Sequence, residues 1–86
     1  MPEISRFFGI IIRMFFDDHL PPHFHAEYGE DEVLININTL SVISGKLKAR
    51  ALGLVMEWAL IHQNELLAEW DKAKNLKALG KIEPLE

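Results

Sequence analysis

The chain has no cysteine, so disulfides and thiolate metal sites are excluded, and its thiol-free composition suits the reducing cytoplasm. It also has no hydrophobic run near the about 18 residues that a membrane-spanning helix needs. Even the apolar opening "MPEISRFFGIIIRMFF" is broken by Glu3, Arg6 and Arg13. That opening lacks the charged leading region and the small-residue cleavage site of a secretory signal. We therefore expect a soluble, cytoplasmic protein with no membrane association. A basic excess is missing too. Nine Lys and Arg stand against 13 Asp and Glu, a net charge of −4. This argues against a surface built throughout for polyanions, because sequence-independent nucleic-acid affinity comes from Lys and Arg on phosphates.

What is present fits one small globular domain of 86 residues, with a limited core. The charge is uneven: residues 1–45 hold seven acids against two arginines, or −5, and residues 46–86 hold seven Lys and Arg against six acids, or +1. The same point divides the patterning, into a β part over residues 4–45, a helical part over 48–77 and a C-terminal tail over 78–86.

Residues 4–16 are rich in Ile and Phe, which favour a pleated, half-buried surface. Gly9 splits them, so they read as one long bent strand or two short ones. Pro21 and Pro22 break the run. "HFHAEY" (23–28) and "EVLININ" (32–38) then alternate with period two around a turn at Gly29. "TLSVIS" (39–44) is a further short strand, closed by Gly45. From Lys48 the period lengthens: Leu52, Val55, Ala59, His62, Leu66, Trp70 and Ala73 form a helical stripe. This is one long helix or, with "HQNE" as a break and Asn64 as a cap, two shorter ones, which we prefer. The expected fold is α+β: a small, mostly antiparallel sheet of three to four strands, covered on one face by C-terminal helices.

Alternation in "HFHAEY" sends Phe24, Ala26 and Tyr28 to a core face, and His23, His25 and Glu27 to an open polar face. His19, Asp17 and Asp18 lie just upstream, and Asn36 and Asn38 either line the same face or meet water. Three of the four histidines fall within seven residues, and such a cluster suits two chemistries. His23 and His25 can act as general base and general acid, since an ordinary imidazole pKa of about 6.5 leaves both protonation states available at neutral pH. RNA cleavage at a 2′-hydroxyl needs such a pair and a cation for the phosphate, for which Arg13 and Arg50 are candidates. Alternatively His19, His23 and His25, with nearby carboxylates, suit a divalent metal such as Zn²⁺. A solvated strand face with histidines bonded to acids is the plain alternative. His62 lies on the helical stripe, where a histidine is ordinarily a core residue. "GKLKAR" (45–50) puts Lys46, Lys48 and Arg50 at a helix start, where backbone N–H groups favour anions.

These stretches carry a resemblance. Asp18, His19, Pro21, Pro22, His23, Phe24, His25, Ala26, Tyr28 and Gly29 match a DH-x-PPHFHA-x-YG pattern. Gly45, Leu47 and Arg50 match G-x-L-x-x-R, and Glu57, Trp58, Ala59 and His62 match E-W-A-x-x-H. By these motifs the chain resembles the bacterial family called domain of unknown function 4160, with Lys48 where a proline is expected. The resemblance implies a small protein encoded beside a second one, of the domain of unknown function 2442 family, in an arrangement similar to toxin–antitoxin pairs. On that analogy this chain is the toxin-like half, with RNA as its target. It carries no established activity, and it leaves the oligomeric state open.

Overall fold

In the computed structural model, which describes residues 3–16 and 19–86, the chain first reverses at Phe8-Gly9. Strand β1 (Glu3–Phe7) pairs antiparallel with β2 (Ile10–Arg13), Phe7 opposite Ile10. Both turn residues have positive φ, 49° at Phe8 and 80° at Gly9, which marks a two-residue hairpin turn whose twist matches that of the strands. Gly9 thus separates two strands rather than bending one.

β3 (His23–Tyr28) and β4 (Asp31–Asn36) form the next hairpin around Gly29-Glu30. β5 (Val42–Gly45) then pairs with β4. The result is a five-stranded, wholly antiparallel sheet in the order β1-β2-β3-β4-β5. The expected three to four strands fall one or two short of this, because the glycine turn leaves no polar gap in the apolar opening.

Between β4 and β5, Asn36 Oδ1 accepts hydrogen bonds from the backbone N–H of Asn38 (2.8 Å) and Thr39 (3.1 Å). The Asn36 side chain therefore builds the turn instead of lining a polar surface. Gly45 closes β5 with φ +80°, and a Cβ there would lie 2.2 Å from the Glu32 carbonyl oxygen. Only glycine fits both constraints.

The helical stripe folds as two helices, α1 (Ala49–Ile61) and α2 (Gln63–Lys74), with His62 between them. Asn64 lies inside α2 and does not cap it. The junction is fixed by Gln63, whose side-chain amide donates to the carbonyls of Ile37 (2.7 Å) and Asn38 (3.0 Å). Lys48 enters α1 at φ −59° and ψ 145°, a geometry that proline would also adopt.

α1 buries Ala51, Val55, Trp58 and Ala59. Trp58 is fully enclosed, with its ring 5.5 Å from Phe7 and 5.9 Å from Phe24. Its indole N–H donates to the Glu83 carbonyl at 2.8 Å. The tail is accordingly part of the packed structure. Ile82 is buried, and its N–H donates to the Ile4 carbonyl at 2.7 Å. Buried Glu69 accepts from the Gly80 N–H (2.7 Å) and from Lys72 (2.9 Å).

Two glycines should respond oppositely in urea denaturation. Gly45→Ala should lower unfolding free energy by about 1–3 kcal/mol through forced left-handed backbone and the clash with Glu32. Gly53→Ala, exposed in α1 with open space around the new Cβ, should raise it by about 0.5–1 kcal/mol.

Candidate functional site

The register of β2, β3 and β4 settles which side chains share the face away from α1. Arg13 stands opposite His25, His25 opposite Leu34, Glu27 opposite Glu32, and His23 opposite Asn36. Arg13, His23, His25, Glu27 and Glu32 thus occupy one face, while Phe24 and Ala26 point into the core; Tyr28, expected with them, is exposed at the end of the strand. Arg13 Nε donates to Glu27 Oε2 at 3.0 Å, and His25 Nδ1 lies 3.2 Å from Glu32 Oε2. Glu32, which the sequence reading placed only at the start of the alternating stretch 32–38, is the carboxylate that orients His25. Its place became visible only once β4 was paired. The ring edge of Phe15 meets His25 at 4.4 Å between centroids.

At the edge of this face lie Glu3 and Arg6. The Glu3 carboxyl is held below its ordinary range, first by the hydrogen bond from Arg6, which outweighs the opposing effect of burial, and then by the charges of Arg6, Lys81 and Arg13. A lowered carboxyl stabilises the fold above its unfolded pKa. That contribution is lost as pH falls through the lowered value.

One half of the expected open face is closed. His23 is only 3% exposed. Trp70 of α2 packs on its ring at 5.3 Å, with His25 at 5.3 Å and His19 at 6.0 Å. No periodicity within β3 shows this, because the covering ring comes from a residue 47 positions later in the chain. His23 Nδ1 lies 2.8 Å from the Pro21 carbonyl. A carbonyl can only accept, so Nδ1 carries a proton, and in the neutral ring Nε2 does not. The peptide between Leu20 and Pro21 is cis. Asp17 and Asp18, expected beside these rings, lie outside the described residues. Among the described residues, no group of three or more His, Asp or Glu side chains is disposed to hold a metal ion.

The remaining candidates lie elsewhere. His62 is at the helix junction, its ring 5.6 Å from Trp58 and its Nδ1 2.6 Å from Glu65 Oε1, and it does not join the imidazole row. Arg50 is on the opposite side of the sheet from His23 and His25. There, with Lys48, it lines a cleft of about 440 Å³ whose other walls are Phe8, Ile10, Tyr28, Ala51 and Leu54. The sequence reading grouped Lys48 and Arg50 but missed their aromatic neighbours, because Phe8 and Tyr28 come from two separate hairpins.

The proton position in His23 can be checked by long-range ¹H–¹⁵N spectra of the ring. In the neutral ring, Nδ1 should show a protonated-type shift and Nε2 an unprotonated one. The reverse pattern would place the Pro21 contact in error.

No helix among the described residues is long and apolar enough to cross a membrane. No curated protein and no solved structure matches the chain. A family match is present, over residues 9–71, which takes in β2 to β5, all of α1 and most of α2, with every histidine. The chain belongs to the family described as Domain of unknown function (DUF4160).

Proposed function

We propose that the protein is a binding module that takes a partner protein by strand addition along β5. The supporting observation is the asymmetry of the two sheet edges. β1 is crossed by the tail through the Ile82–Ile4 hydrogen bond, whereas all four residues of β5 are exposed. Val42 and Ile43 are each 43% exposed. β5 carries no charge and no proline, the devices that ordinarily guard an edge strand. An extended segment laid along it would gain main-chain hydrogen bonds, with apolar side chains supplying specificity. By the family resemblance, the candidate partner is the small protein encoded alongside.

Titration of that partner into the protein should slow amide exchange at Val42, Ile43 and Ser44. Ile43→Lys should weaken binding at least tenfold while leaving the melting temperature nearly unchanged. Undiminished binding by this variant would overturn the reading.

A second reading, the toxin-like half acting on RNA, has one observation in its favour. Nδ1 of both His23 and His25 faces an oxygen acceptor, which fixes the orientation of the two rings, with Arg13 opposite His25 as the phosphate contact. One imidazole would accept the 2′-hydroxyl proton while the other protonates the departing 5′-oxygen. It ranks second because His23 is enclosed. Purified protein should then cut RNA with a bell-shaped profile between pH 5 and 8, and His25→Gln should abolish cutting. Intact RNA across that range would eliminate this reading.

A further inference from the structure

The cleft on the helix side of the sheet is distinct from both the β5 edge and the imidazole row, and its walls are of two kinds. Phe8, Ile10, Tyr28, Ala51 and Leu54 are apolar or aromatic, and Lys48 and Arg50 supply two positive charges. Among the described residues, neither cationic side chain makes an ion pair or a hydrogen bond, whereas Arg6, Arg13, Lys72 and Lys81 all do. In a chain of net charge −4, two adjacent cations without acidic partners leave a local charge that nothing inside the fold uses.

Phe8 is the second observation. It sits at φ 49°, a left-handed conformation that is unfavourable for a bulky side chain by about 1–2 kcal/mol, in a turn position suited to Asn or Gly. Its ring gains little packing in return. It is 59% exposed, with the edge of Phe7 at 6.4 Å. A strained residue that displays an aromatic ring at the mouth of a cleft points to use of that ring. Tyr28 packs across the same hairpin turn, close enough that a Cβ at Gly9 would lie 3.4 Å from its Cε1 atom. Two aromatic rings therefore stand at one end of a cleft that has two cations at the start of α1.

We propose that this cleft binds a planar aromatic ring carrying a single phosphate, as in a nucleoside monophosphate, with the ring against Phe8 and Tyr28 and the phosphate on Lys48 and Arg50. The charges match: a phosphomonoester carries about −1.5 to −2 at pH 7, against two cations. Stacking on an aromatic side chain suits any base. The volume of about 440 Å³ is in the usual range for small-ligand sites, about 300–1,000 Å³. The adjoining cleft shares Tyr28 and Lys48 but adds Glu30 and Asp31. Those carboxylates oppose a second phosphate, so the site favours one phosphate over a polynucleotide chain.

The test is ¹H–¹⁵N titration with adenosine 5′-monophosphate, with inorganic phosphate, adenosine and a 5′-phosphorylated oligoadenylate as separate arms. The monophosphate should shift the amides of Phe8, Gly9, Tyr28, Lys48 and Arg50, and it should bind more tightly than phosphate or adenosine alone. Arg50→Gln should weaken binding at least tenfold, and Phe8→Asn, which suits the turn better than phenylalanine, at least fivefold without loss of stability. Ile43→Lys, on β5, should leave binding unchanged, which separates this site from the strand-edge reading. No shifts at millimolar monophosphate, or binding that both Arg50→Gln and Phe8→Asn leave intact, would overturn the proposal. Tighter binding of the oligoadenylate would overturn the preference for a single phosphate.

Discussion

The architecture turns on one polar atom in the core, the indole nitrogen of Trp58. A tryptophan enclosed by Phe7, Phe24 and the helix junction contributes a large apolar area, but its N–H must still find an acceptor. The acceptor is the Glu83 carbonyl, so burying the ring also fixes the tail. Once the tail lies there, Ile82 bonds to Ile4 beside β1, and Glu69 reinforces the course of the chain at Gly80. The consequence reaches the far edge of the sheet. With the β1 side crossed, β5 is the edge left open, and the strand-edge proposal follows from a hydrogen bond made on the other side of the molecule.

The same economy explains why the histidine row is only partly open. The helical layer covers the sheet with a stripe that recurs every three or four residues, and its second half brings Trp70 onto His23. Burial then makes hydrogen bonding obligatory for the imidazole, and the Pro21 carbonyl meets that need. His25 keeps a carboxylate neighbour in Glu32 and a guanidinium neighbour in Arg13. The row is therefore mixed: His25 lies beside a carboxylate and a guanidinium, and His23 is packed like a core residue.

Much of the β part could be read from the chain. The alternation of "HFHAEY" assigned Phe24 and Ala26 to one face and His25 and Glu27 to the other, since successive strand side chains must point oppositely. Of the helical stripe, Val55, Ala59, Leu66, Trp70 and Ala73 are buried, and Leu52 and His62 are half-buried. The errors arose where a local signal was ambiguous. Phe8-Gly9 has one turn residue where a hairpin normally shows two, so the first reversal was easily read as a bend. Leu76 ends α2 from the left-handed region at φ 58°, a role usually taken by glycine, so the helix stops at Lys74, short of the expected end at residue 77.

By itself the sequence determined the two periodicities, the break near His62 and the clustering of histidines, because each depends on residues close together in the chain. Tertiary structure alone decided the rest. It placed Arg50 with Phe8 and Tyr28 instead of with the imidazoles, set Trp70 on His23, gave Glu32 to His25, and closed one sheet edge while leaving the other exposed. Each of these is a meeting of groups far apart in the chain, fixed by strand register, by the course of the tail and by which face the helices cover. Register and facing are properties of the packed chain, and no local pattern encodes them.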